Sequence, residues 1–196
     1  TAMQCFQQKR GQRIITNKGL ASMGYGLSGA IGAANSSGFR TVLLEGDGGF
    51  SQNIQELGTV AAQNLNIKIF IFDDAGHASI RMTQRNYFSG KYIGCDRTTS
   101  LGLPNWDKVG DVWGIETMRL TNLNEIGETA FQSLFNKAGP AIFILSICPN
   151  QTYFPKIASR MLPSGSMESN PLHAMSPPLG DIISEKVFRY INPPEY

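Results

Sequence analysis

The chain is poor in the residues that make metal or disulfide frameworks. Its 196 residues hold two histidines, His77 and His173, and three cysteines, Cys5, Cys95 and Cys148. The histidines are too few and too far apart in sequence for a zinc site, and the cysteines match no metal-ligand spacing. An odd number of cysteines also argues against a disulfide framework, so they read as reduced, mostly buried thiols of a cytoplasmic protein. An excess of either charge is missing too. Seventeen Lys and Arg face 15 Asp and Glu, for a net charge of +2, which implies no nucleic-acid partner. The one basic cluster, Lys9-Arg10 to Arg13, reads as a solvated face. Long hydrophobic runs are absent. The longest, 141–148, cannot span a bilayer, and neither a signal peptide nor a membrane partner is expected. What remains is a chain of ordinary apolar content, one domain in length and long enough to bury a core. Thr1 replaces an initiator methionine and opens a helix-like stretch, which suggests a fragment.

What the chain does have is a pair of acidic, glycine-rich turns. Thr41-Val42-Leu43-Leu44 has the character of a buried strand and leads into Glu45-Gly46-Asp47-Gly48-Gly49. A helix is expected over 53–62, then a second buried strand over 67–72 that stops at Asp73-Asp74-Ala75-Gly76. This β-turn-α-β-turn order places both turns at the same end of neighbouring parallel strands. Carboxylates converging beside glycines suit a hard cation that holds a phosphate, because Mg2+ prefers few carboxylates plus phosphate oxygens. The plainer reading, that Asp47 and Asp73-Asp74 only shape turns and cap helices, would suffice for either turn alone.

Elsewhere the pattern predicts a short helix over 2–9, a brief strand over 13–16, and a helix over 77–86 whose N-terminus faces the acidic turns. A long loop of the kind that is usually functional follows over 87–104, then a helix over 105–112 and a strand over 115–120. An amphipathic helix over 123–136 and a buried strand over 140–147 complete the series. The alternation implies an α/β domain, 1–148, with a mostly parallel sheet and helices on both faces. Eight of the ten prolines lie in 149–196. That segment reads as an extended Pro-rich tail, with one short helix near 182–190, packing on the domain or on a partner.

Residues 17–32 are rich in small side chains, which suits a helix pressed closely against a neighbour. Gly24-x-Gly26-x-x-Gly29, with Glu45 closing the next strand 21 residues after Gly24, also imitates a dinucleotide-binding fingerprint. An NAD-dependent dehydrogenase is therefore an alternative, although that fingerprint needs a strand running into its first glycine and 18–22 is a poor one.

Gly46-Asp47-Gly48, a spacer of 24 residues (49–72), then Asp73-Asp74 and Gly76 resembles the fingerprint of thiamine diphosphate enzymes: GDG, a similar spacer, and usually a pair of asparagines. Residues 19–33 resemble the G-x-G-[ST]-M-G-x-x-x-P-A-A-I-G-A segment of the acetolactate synthase-like branch. The tail from Tyr153-Phe154-Pro155 to Met175-x-Pro177 resembles that branch as well; in relatives such a tail covers the active site. The resemblance implies a thiamine diphosphate-binding fold, with Mg2+ held by Asp47, Asp74 and the carbonyl of Gly76. Gly46, Gly48 and Gly49 would approach the diphosphate. Ala21 and Ser22 would meet the aminopyrimidine by their backbone, and Met23 would be the wedge that bends the cofactor so its amino group meets the reactive ring carbon. A polarisable, unbranched side chain suits that place; the alternative is that Met23 is simple core. Ile80 stands where decarboxylases of the family carry a catalytic glutamate. An aliphatic residue there cannot supply a proton, which favours passing the acyl unit to a second carbonyl compound.

Three departures matter. Both asparagines are aspartates here, Ala21 replaces a glycine, and Ser28 replaces a proline. The resemblance covers the diphosphate-side domain alone. The activating glutamate belongs to a pyrimidine-binding domain, expected from a second subunit of a homodimer or homotetramer, so no catalytic residue is expected in this chain. FAD is possible elsewhere in such proteins. The implied substrate is a small 2-keto acid, pyruvate foremost. A domain that keeps the fold but has lost the cofactor is a further alternative, with Asp73-Asp74 as its symptom.

Overall fold

A computed structural model describes residues 2–17, 19–152, 154–157, 159–171 and 174–189. Thr1, Lys18, Tyr153, Leu172, His173, Tyr190 and the Pro193-Pro194 pair lie outside the described residues. Residues 8–151 form one compact unit; the described parts of 2–7 and 152–189 form another.

In the larger unit, α2 (Tyr25–Ser37) precedes strand β1 (Thr41–Gly46), and the short helix α3 (Asp47–Phe50) starts at the residue directly after the strand. Helix α1 (Ala2–Cys5) belongs to the smaller unit. A 3-10 turn (Ser51–Glu56) and α4 (Leu57–Ala62) lead to β2 (Ile67–Asp73), followed by α5 (Ala78–Tyr87), β3 (Thr117–Leu120), α6 (Thr129–Asn136) and β4 (Ala141–Ser146). The four strands pair in the order β1-β2-β4-β3, every pairing parallel. Parallel strands alternate their side chains between two covered faces. Ile67, Ile69 and Ile71 of β2 and Ile142 and Ile144 of β4 meet Leu27, Ala30 and Ala34 of α2 and Leu57 and Val60 of α4. On the opposite face Phe143 packs with Phe131 and Leu134 of α6. Its ring stacks on Phe70 at 4.8 Å between centroids. The α/β sheet with helices on both faces is as the sequence reading expects.

Several boundaries differ, each for a physical reason. β1 is an edge strand, and Val42 and Leu44 are each 47% exposed, so the strand is covered on one face only. Residues 13–16 have no partner strand and remain irregular, and the first helix stops at Cys5. The helix expected over 53–62 is broken at Asn53, whose φ of −141° is non-helical. Glu128, with extended backbone, splits the helix expected over 123–136 into a 3-10 turn and α6. Asn122 and Glu125 form a capping box at its start. The stretch 105–112 forms two 3-10 turns, Trp106–Lys108 and Asp111–Trp113. Cys5 and Cys148 are exposed and only Cys95 is buried, which corrects the expectation of mostly buried thiols. No helix among the described residues is long and apolar enough to cross a membrane.

Lys68 is the unexpected core residue. It is 0% exposed at the second position of β2, and its Nζ donates to the carbonyls of Lys137 (2.7 Å) and Gly139 (2.6 Å). A cation there meets the carbonyl end of α6 and satisfies groups that the helix cannot.

The smaller unit is not simply extended. β5 (Lys156–Ile157) pairs antiparallel with β8 (Met175–Ser176), and β6 (Ser159–Met161) with β7 (Met167–Ser169). The helix α7 (Asp181–Val187) follows.

The Phe143 ring sits at the centre of the second core, so Phe143→Ala should cost about 3–5 kcal/mol of unfolding free energy. Urea denaturation followed by circular dichroism measures this; a loss below about 1 kcal/mol would contradict the packing described.

Candidate cofactor and metal site

The register of β1 on β2 sets the site. Glu45 lies opposite Ile71 and Gly46 opposite Phe72, so both strands end at one edge of the sheet. There the chain turns into Asp47 on one strand and Asp73-Asp74 on the next. Asp47 is 0% exposed. Its Oδ1 accepts from the Gly48 amide (2.8 Å), while Oδ2 has no hydrogen-bond partner. Burial pushes its pKa up to about 7, and the charges of Asp74 and Asp73 add to that shift. A buried, unpartnered carboxylate oxygen beside a second carboxylate is costly unless a cation fills the place.

The second corner is braced from outside. Gly76 has a φ of +151°, and a Cβ there would stand 2.1 Å from the Cys95 carbonyl. Only glycine fits. Gly76 bridges to Asp96, and His77 N–H donates to Cys95 O at 2.8 Å. Asp96 in turn forms a capping box with Thr99. The loop over 87–104 therefore supports the Gly76 turn. His77 joins the two corners: a Cβ on Gly48 would lie 2.2 Å from its Nδ1 and 3.1 Å from the Gly76 carbonyl. That places the Gly76 carbonyl against the corner that carries Asp47. Gly48's amide is already engaged by Asp47, so its approach to a phosphate competes with that bond.

Ala21, Ser22 and Met23 form an exposed turn before α2. Met23 is 55% exposed, which rules out the reading of it as core. Ala21 (φ 51°) and Ala75 (φ 65°) both adopt the left-handed conformation that favours glycine. Such strain gathers at functional sites. The turn is tied to the first corner. Gly24, at φ 81°, packs on Gln52, and the Glu45 carboxylate lies against the backbone amides of Gly24, Gly26 and Leu27. Ile80 sits on α5 at 41% exposure, in an open apolar groove with Ser79, Thr83, Gln84 and Phe88.

The dinucleotide alternative does not survive this geometry. No strand among the described residues runs into Gly24, and Glu45 faces the start of α2, where a Cβ on Gly26 would touch its Oε2.

Two functional candidates escaped the sequence reading. Arg81 Nη2 donates to Asp74 O (3.0 Å) and Pro149 O (2.9 Å) and pairs with Asp74 Oδ1 at 3.5 Å. Arg119 Nη1 pairs with Asp73 Oδ2 at 2.9 Å and also donates to Ser146 Oγ. The signal that could have found them is the doubled carboxylate itself, since two adjacent aspartates at a buried corner call for cations. Among the described residues no three His, Cys, Asp or Glu side chains cluster as a metal site. The fitting donor set is two carboxylates and a carbonyl, hard oxygens that suit Mg2+ and leave positions for phosphate.

Because the folded pKa of Asp47 lies above its unfolded value of about 4, the metal-free fold holds an extra proton between those values. Its stability falls as pH rises through that window. Metal-free Asp47→Asn should lack this loss, so its stability advantage over the wild type should open between pH 4 and pH 7. Thermal melts across that range test it, and an advantage that does not grow with pH would contradict the buried carboxylate.

Residues 1–145 match the family described as thiamine pyrophosphate enzyme, C-terminal TPP binding domain. Among relatives, the acetolactate synthase isozyme 2 large subunit of Escherichia coli K12 is 31% identical over 176 residues, 89% of this chain and 30% of that protein. The probable acetolactate synthase large subunit of Methanococcus aeolicus is 32% identical over 174 residues, 87% of this chain and 27% of its own length. The chain thus spans less than a third of the length of these relatives. The crystal structure of benzoylformate decarboxylase from Polynucleobacter necessarius shares the fold, with a TM-score of 0.57 at 21% identity over 67% of this chain and 25% of that one. The domain match and the acetolactate synthase relatives place this chain in the thiamine pyrophosphate enzyme family, as its C-terminal TPP-binding domain.

Proposed function

We propose that this chain is the diphosphate-side half of a site that decarboxylates a 2-keto acid, pyruvate foremost, and passes the acyl unit to a second carbonyl compound. The observation that carries the reading is the fully buried Asp47, with one free carboxylate oxygen, at a sheet corner adjoining that of Asp74 and Gly76. Asp47, Asp74 and the Gly76 carbonyl would hold Mg2+, and the glycines at 46, 48 and 49 would line the diphosphate. Ala21, Ser22 and Met23 would face the pyrimidine ring. When bound, thiamine diphosphate supplies a ring carbon able to stabilise the carbanion left by decarboxylation.

The residues of this chain act by position and charge. Asp47 would hold the cation as its carboxylate, and metal binding would then be accompanied by release of a proton from it. Exposed Met23 offers an apolar ledge. Ile80, aliphatic and beside the groove, has no proton to give, which supports transfer of the acyl unit over release of an aldehyde. The Asp73-Asp74 pair, the one feature that pointed to a domain without cofactor, is matched by Arg119 and Arg81. The pyrimidine-binding domain of a second subunit would complete the site in a homodimer or homotetramer. The tail over 149–196 would pack on the domain or on that partner.

Calorimetry on the whole protein tests the assignment. Thiamine diphosphate should bind only when Mg2+ is present, and Asp74→Ala should remove the metal-dependent part. The chain expressed by itself, given both and pyruvate, should show no turnover. Binding that ignores Mg2+, or survives Asp74→Ala unchanged, would contradict the ligand set; turnover would contradict the need for a second domain.

A further inference from the structure

Three carboxylates, Asp47, Asp73 and Asp74, gather at the ends of two neighbouring parallel strands. A cation carrying a diphosphate brings further negative charge to that corner, and Mg2+ offsets only two of those charges. Unbalanced, three carboxylates would repel the anion that the cation is there to hold.

Two arginines reach the acidic turn from different elements. Arg81, on α5 and nearly buried, fixes Asp74 through both its backbone carbonyl and Oδ1, and stands 3.9 Å from Asp96 Oδ2. It also holds the carbonyl of Pro149, beyond the end of β4. Arg119, on β3, pairs with Asp73 at 2.9 Å and with Asp107 at 2.7 Å, and its Nη1 donates to Ser146 at the end of β4. Neither arginine is paired with Asp47. The two cations thus reach the carboxylates of the second corner, which share them with Asp96 and Asp107, and neither cation reaches Asp47.

We propose that Arg81 and Arg119 are charge-balancing positioning residues that offset the charge of Asp74 and Asp73, leaving Asp47 as the one carboxylate of the two corners that meets an Mg2+–diphosphate group without a cationic side-chain partner. The inference rests on the cofactor reading above. It makes the Asp73-Asp74 turn compatible with an anionic ligand: Asp74 keeps an oxygen for the metal while Arg81 removes the excess charge. The two arginines also fix the direction in which the acidic turn points, because each bonds to the end of β4 as well.

A charge cycle separates this role from simple bracing. In the whole protein, Arg119→Gln and Arg81→Gln should each weaken Mg2+-dependent binding of thiamine diphosphate about tenfold, as expected for one uncompensated charge at short range. Adding Asp73→Asn to the first, and Asp74→Asn to the second, removes the exposed charge while keeping a side-chain oxygen. Both double variants should return to within about threefold of wild type, as neutral pairs require. Calorimetric affinity is the readout, and melting temperature checks that each variant folds; should Arg81→Gln fail to fold, the Arg119 cycle decides alone. Single variants that bind like wild type, or double variants that stay as weak as the singles, would overturn the proposal. A wild type that binds no thiamine diphosphate would overturn the cofactor reading itself, and this inference with it.

Discussion

A carboxylate with no exposed surface and one unsatisfied oxygen is the constraint on which the rest of the larger unit turns. Asp47 occupies the first position after β1, and the parallel register of β1 on β2 brings the Asp73-Asp74 turn beside it. Nothing in the packing of the core requires a charge there; an apolar residue would cost less. The surrounding structure nevertheless holds it in place. Gly48 leaves room for His77, Gly76 leaves room for the Cys95 carbonyl, and Gly26 leaves room for Glu45. Each of these close approaches links one segment of the site to another, so the corners, the 95–99 loop and the start of α2 are fixed together.

That arrangement accounts for the local strain. Ala21 and Ala75 sit in left-handed backbone, the first in the turn before α2 and the second between Asp74 and Gly76. A non-glycine residue there costs on the order of 1 kcal/mol or more, which a chain selected for stability alone would shed by placing glycine. The acidic turn shows the same logic in electrostatic form: β3, α5 and the end of β4 converge on it through Arg119 and Arg81, and the long 87–104 loop reaches it through Asp96.

The sequence disclosed the frame of this site and little of its support. Alternating apolar runs and glycine turns are local signals, so the β1-α-β2 unit and the two acidic corners could be read directly from 41–76. Helix ends were less legible: Asn53 leaves helical geometry where it lies against the Gly24 turn, and Glu128 is extended where the preceding 3-10 turn ends. Exposure was misjudged where it depends on sheet position: Val42 and Leu44 look like core until β1 proves to be an edge. Arg81 and Arg119 were invisible for a related reason. Their partners lie on other elements or across a turn, and single-sequence patterning carries no record of which cation will meet which carboxylate. Lys68 is the extreme case, a fully buried lysine near the start of a core strand explained only by carbonyls some seventy residues away.

The central claim is that the two sheet-end corners share one divalent ion. Mn2+ can stand in for Mg2+ and be located by its anomalous scattering in crystals grown with thiamine diphosphate. The account predicts a single peak about 2.0–2.3 Å from oxygens of Asp47, Asp74 and the Gly76 carbonyl. A peak elsewhere, or a bound diphosphate with no metal between these corners, would contradict it.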